Sequence, residues 1–149
     1  MLWRALATQG GAESSPMSER VQPEESGLDS SLAALTSRPG VLGAMVSTDD
    51  GLPFLVRLQS HHDQETLAAA GAALGQMTCE VLDRLNQGEL EMAVLETEEF
   101  RFLVRPLSVG FLLVMAESEA NVGLLSAEMS KAAAALEKAV SAVAGPDPD

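Results

Sequence analysis

The run LAAAGAALGQM, from Leu67 to Met77, sets the tightest limit on what this chain can fold into. It lies in a proline-free stretch with helical periodicity, from His62 to Gly88, yet every residue from Ala68 to Ala73 is Ala or Gly. A soluble helix is normally held on its core by a stripe of large apolar side chains. At about 100° per residue the stretch resolves into three arcs. Leu67, Leu74, Thr78, Val81 and Leu85 form a large apolar stripe, with Ala70 and Met77 at its far edge. Glu65, Ala69, Gln76, Glu80, Asp83 and Gln87 form a polar one. Ala68, Ala72, Gly75 and Cys79, flanked by Gly71 and Leu82, form a seam of small residues. The large stripe is expected to grip a sheet. The seam has two readings, a tight helix-on-sheet contact or plain exposed alanine on one side, and a landing surface for a second polypeptide on the other. Two mid-helix glycines cost about 2 kcal/mol of helix propensity relative to alanine, a loss that close backbone packing offsets. The sequence-based expectation is therefore an interface at Ala68, Gly71, Ala72, Gly75 and Cys79.

Other elements fall into order around this helix. LDSSLAALTSR reads as a short helix with Asp29 or Ser30 as N-cap and Pro39-Gly40 as its stop. VLGAMVST and LPFLVRL read as strands joined by the turn Asp49-Asp50-Gly51, and Pro53 places the second at a sheet edge. ELEMAVLET and EFRFLVRPL alternate apolar and charged residues across a Glu-Glu turn. GFLLVMA is continuously apolar, as for a central strand covered on both faces. The last helix places Val122, Leu125, Met129, Ala132, Leu136 and Val140 on one face. The predicted architecture is α/β, an α-β-β-α-β-β-β-α sandwich on a five-stranded antiparallel sheet. Residues 1–27, rich in Gly, Ser, Glu, Gln and Pro, read as a disordered tail, with Met17 as a second candidate start. Residues 28–144 form the domain, and GPDPD at 145–149 frays.

Charge and chemistry narrow the function. A net charge of −13 argues against nucleic acid or an anionic membrane surface as partner. One cysteine excludes an internal disulfide framework and suits a reducing, cytoplasmic setting. No GxxxxGK[ST] phosphate loop or GxSxG elbow occurs. His61 and His62 are adjacent, so they diverge on any regular element; a polar loop with Asp63 as helix cap outweighs a metal site. No cofactor, metal or catalytic residue is expected, and the chain is not read as an enzyme.

GVLGAMVSTDDGLPFLVR, the small-residue helix, and EMAVLETEEFRFLVRPLSVGFLLVMAESEANVGLLSAEM together resemble the Roadblock/dynein light chain family over about three quarters of the chain. The shared architecture extends to profilin-like and Longin-like domains. The resemblance implies dimers in which two third strands pair edge to edge, with the central helices side by side on one face. It also implies a bacterial regulatory or scaffolding subunit for a Ras-like small GTPase, as GTPase-activating or tethering partner. The acidic N-terminus and Pro53 within the second strand depart from the family pattern. On the residues themselves, ELEMAVLET puts Leu90, Met92 and Val94 on one face and Ala93 and Leu95 on the other, an apolar edge that invites pairing into a homodimer or a Roadblock heterodimer. The alternative is a profilin-like small-ligand sensing domain, which needs a cavity; four Phe and no Tyr make that poorer. Limited proteolysis of the full chain is expected to trim the tail and leave a resistant core beginning near Leu28, and a protected tail under native conditions would contradict its assignment.

Overall fold

In the computed structural model, which describes residues 23–58 and 63–144, three helices enclose a five-stranded sheet. In chain order the elements are α1 (Pro23–Thr36), β1 (Val41–Thr48), β2 (Pro53–Leu58), α2 (Gln64–Leu85), β3 (Ala93–Glu96), β4 (Phe100–Leu107), β5 (Gly110–Glu117) and α3 (Val122–Ala144). The sheet order is β2-β1-β5-β4-β3, and every neighbouring pair is antiparallel. The five-stranded sandwich expected from the sequence is the one observed. His61 and His62 lie outside the described residues, as do residues 1–22.

The first helix begins earlier than its apparent capping residues. Pro23 opens α1, where a missing N–H costs nothing and φ is already helical. Asp29 and Ser30 therefore sit inside the helix rather than at its N-cap, and residues 23–27 belong to it rather than to the tail. Asp29 is used across the fold instead, accepting a hydrogen bond from Arg57 of β2 at 3.1 Å. Leu28, Leu32 and Leu35, spaced by four and three residues, point into the core. Ahead of β1, Gly40 takes a positive φ of 84° after Pro39, ending the helix where the sequence placed its stop.

β5 is central because it is apolar on both faces. Leu112, Val114 and Ala116 meet α1 and α3, together with Ala44, Val46 and Leu103, while Leu125, Met129, Ala132 and Leu136 of α3 complete that layer. Phe111, Leu113 and Met115 face α2, together with Met45, Phe102 and Val104. At the far edge, the β1–β2 turn needs Gly51 at φ 87°, and a register shift between Val46 and Ser47 sets Ser47 opposite Pro53. The third strand is shorter than its alternating pattern implied, with only Ala93–Glu96 pairing to β4.

α2 is capped at both ends by its own sequence. Asp63 accepts from the Glu65 backbone N–H at 3.1 Å and from the Thr66 hydroxyl at 2.8 Å. These bonds, that from Thr66 foremost, hold its carboxyl below the usual carboxylate range. At the other end Asn86 adopts the left-handed conformation at φ 57°, returning its N–H to Asp83 and Leu82.

The contact between α2 and the sheet explains the small residues. A Cβ placed on Gly71 would overlap the Leu113 side chain, and one on Gly75 would overlap the Phe111 ring. Large sheet side chains thus occupy the room the helix leaves. Gly75→Val is expected to destabilise the domain by about 1–3 kcal/mol, the usual cost of overpacking, seen as a lower midpoint of urea unfolding; an unchanged midpoint would show that the contact has slack.

Candidate interaction surface

The faces of α2 are reversed relative to the sequence reading. Ala68, at 0% exposure, and Ala72, at 4%, lie with Gly71 and Gly75 against the sheet. Cys79, half-buried, continues the same arc. The expected landing surface for a second chain is therefore filled by the protein's own β-sheet. That is the tight helix-on-sheet alternative, and its physical cause is volume. The sheet face beneath α2 carries Met45, Phe102, Phe111, Leu113 and Met115, so a helix presenting leucines to it would not fit.

The large stripe is consequently displaced outward. Leu67 and Leu74 remain partly buried against the α2-side core. Further along, Met77, Val81 and Leu85 are 61%, 53% and 58% exposed. Their spacing of four residues aligns them on one arc of the helix. The opposite flank is fixed by the β1–β2 turn, where Gln76 Nε2 donates to the Asp49 carbonyl at 2.6 Å and Gly51 packs near Ala69. The exposed stripe thus faces away from that turn, and α2 also touches β3.

β3 supplies the second part of the surface. It is the last strand of the sheet, so only its β4 side is paired. Val94 and Met92 pack toward the α1 and α3 layer, whereas Ala93 packs on the α2 side. Leu95, opposite Phe102, shares that side and is half exposed. Leu90 and Met92 precede the paired residues and are half-buried. The structure brings Leu95 and the outer stripe of α2 onto one face of the sheet, adjacent to an open strand edge. Sequence reasoning found the edge and mistook the helix face. The missed signal was present in β4 and β5, whose α2-facing positions are all large.

Neither cavities nor clustered reactive groups compete with this surface. Beneath α2, Gly43, Leu67, Phe102, Leu113 and Met115 bound a void of about 10 Å³, scarcely room for one water. A shallow depression of about 370 Å³ at one end of the sheet is bounded by Arg38, Gly40, Glu117, Glu119, Asn121 and Leu124 and carries no aromatic side chain. Among the described residues, no three His, Cys, Asp or Glu side chains gather as a metal-binding group. Among those residues, no helix is long and apolar enough to cross a membrane.

The described residues thus form a three-helix sandwich on a five-stranded antiparallel sheet, with β3 at one edge beside the long helix α2. The model of the Roadblock/LC7 domain matches residues 28–117, and the chain belongs to that family. A solved Roadblock/LC7 domain from Streptomyces avermitilis is similar at TM-score 0.70 and 23% identity, covering 75% of this chain and 96% of that one. An MglB solved in a tetrameric arrangement is similar at TM-score 0.72 and 16% identity, covering 79% and 90%. An uncharacterized protein of Methanocaldococcus jannaschii is 28% identical over 106 residues, covering 71% of this chain and 93% of its own.

The two arcs of α2 should respond oppositely to the same change. Ala72→Arg buries an unpaired charge and should cost several kcal/mol, enough to unfold much of the population at room temperature. Val81→Arg, on the exposed arc, should shift stability by no more than about 0.5 kcal/mol. Circular dichroism during thermal unfolding distinguishes them, and equal effects would overturn the assignment of faces.

Proposed function

We propose that this protein is a non-enzymatic regulatory or scaffolding subunit that pairs through β3 and binds a Ras-like small GTPase. The observation that carries the reading is the outward stripe of Met77, Val81 and Leu85 beside the open edge of β3. Three exposed large apolar side chains on one helical arc are poorly placed for a solitary soluble domain. Edge pairing across a two-fold axis normal to the sheet would extend it to ten strands, setting the two α2 helices on one face and sheltering their stripes. The tetrameric arrangement of the similar MglB supports assembly of such domains. Membership of the Roadblock/LC7 family supports a partnering role over a catalytic one.

As a GTPase partner, such a pair acts by holding the GTPase's own switch segments in place. Three of its arginines are engaged within the domain, whereas Arg84, exposed in the last turn of α2, lies on the same arc as Met77 and Val81. Arg38 binds Glu128, Arg57 binds Asp29, and Arg101 approaches Glu96 at 3.9 Å. A small-ligand sensing role draws no support from the void beneath α2, which scarcely holds one water.

Two measurements test the proposal. Full-length protein used as bait in lysate of its native cell should retain a phosphate-loop GTPase, identified by mass spectrometry and confirmed with purified components. Val81→Glu combined with Leu85→Glu should keep the fold while weakening association, self or GTPase, by at least about tenfold, equivalent to roughly 1.4 kcal/mol. A folded double variant with unchanged partners would remove the helix stripe from the interface.

A further inference from the structure

The exposed stripe of α2 and the start of α1 lie at the same end of the sheet. Gly71 seats on Leu113 and Gly75 on Phe111, so α2 runs toward the β4–β5 turn. It then continues to Leu85, about 15 Å past Gly75 at 1.5 Å per residue. Met77, Val81 and Leu85 occupy this last stretch, and Glu80 and Asp83, both exposed, flank it. On the other layer, a Cβ placed on Gly27 of α1 would touch Ala139 of α3. Two residues before Ala139, Glu137 accepts from the N–H and the hydroxyl of Ser108, in the β4–β5 turn, at 2.8 and 2.6 Å. The start of α1 is thereby held at that turn as well.

Twenty-two residues precede α1, ahead of the stretch that matches the family model. They begin MLWRALA, and no other part of residues 1–22 gathers as many large apolar side chains. Leu2, Trp3 and Leu6 recur at the three- and four-residue spacings of one helical face, with Arg4 among them. Residues 8–22 span at most about 50 Å when extended. A domain of this size has a radius of gyration of about 13 Å, so MLWRALA has ample reach to the stripe.

We propose that residues 1–7 dock on the α2 stripe of their own chain and hold it closed to a second copy. Leu2, Trp3 and Leu6 cover Met77, Val81 and Leu85, and Arg4 meets Glu80 and Asp83. The regulation rests on the stripe being an association surface, as read above; the docking does not. Tethering makes the contact intramolecular, at an effective concentration in the range of about a millimolar. A segment of modest intrinsic affinity therefore outcompetes a second copy at micromolar protein, and a partner that grips the stripe more strongly displaces it. Residues 8–22 stay uncommitted in this arrangement, so a protease still severs the segment from the domain.

Trp3 is the only tryptophan, so its fluorescence reports the contact directly. In the full chain, diluted until sedimentation shows monomer, its emission should lie at shorter wavelength than in the free peptide of residues 1–16. Val81→Glu with Leu85→Glu should return it to the peptide's value, with circular dichroism confirming the fold. Leu2→Glu with Leu6→Glu, made in the segment itself, should do the same without touching the domain. A chain begun at Met17, which keeps every described residue, should self-associate at least about tenfold more tightly than the full chain, the factor expected when about nine chains in ten are closed. Peptide-like emission in the monomer overturns the docking, as does a shift that survives the α2 substitutions. A shift that appears only as the chain self-associates names a second copy as the occupant and overturns it too. Shielded Trp3 with no gain for the chain begun at Met17 overturns the regulation. Val81→Glu with Leu85→Glu in that shorter chain keeps the two readings apart: unchanged self-association there removes the stripe from the association surface, whatever Trp3 reports.

Discussion

The close seating of α2 on β5 is the contact from which the remainder of the surface follows. Gly71 and Gly75 leave room that Leu113 and Phe111 fill, so backbone and sheet approach more nearly than leucine-faced packing allows. This exchange moves bulk from the helix to the sheet. It also decides which residues of α2 remain for other molecules, because a helix whose small side is buried must turn its large side elsewhere. Met77, Val81 and Leu85 are outside for the same reason that Ala68 and Ala72 are inside. The helix propensity given up at two glycines is offset by apolar area gained beneath them.

Much of the fold was legible because each element carries its own local signal. The continuous apolar run of β5, the proline of β2, the Asp-Asp-Gly turn and the Asp63 cap each have one physical meaning, and the structure uses each in that sense. The start of α1 was misread because Asp29 and Ser30 are good caps anywhere, and nothing local reveals that Asp29 is bound to Arg57 twenty-eight residues away. The faces of α2 were misread for a related reason. A helical wheel ranks side chains by hydrophobicity, whereas the sheet selected by volume. That selection depends on Phe102, Phe111 and Leu113, which arrive only later in the chain. Hydrophobic pattern is a property of one segment; complementarity belongs to two.

The open edge was legible for a different reason. An alternating strand bounded by glutamates announces an exposed position, and β3 is indeed the last strand of the sheet. Its length was not legible, since the alternation over residues 89–97 continues beyond the four residues that pair with β4. The unpaired approach from Leu90 to Met92 keeps apolar side chains close to the edge without committing their backbone to the ladder.

The two ends of the sheet are unequal in how readily each could add a strand. β2 begins at Pro53, which has no N–H to give, follows a bulge at Val46–Ser47, and is tied to α1 through Arg57 and Asp29. β3 has no such stopper. A sheet able to add strands at both margins grows as a filament, whereas one with a single receptive margin has a valence of one. A strand docked on β3 would leave β2 as the outer margin at the other end, where Pro53 withholds one ladder donor.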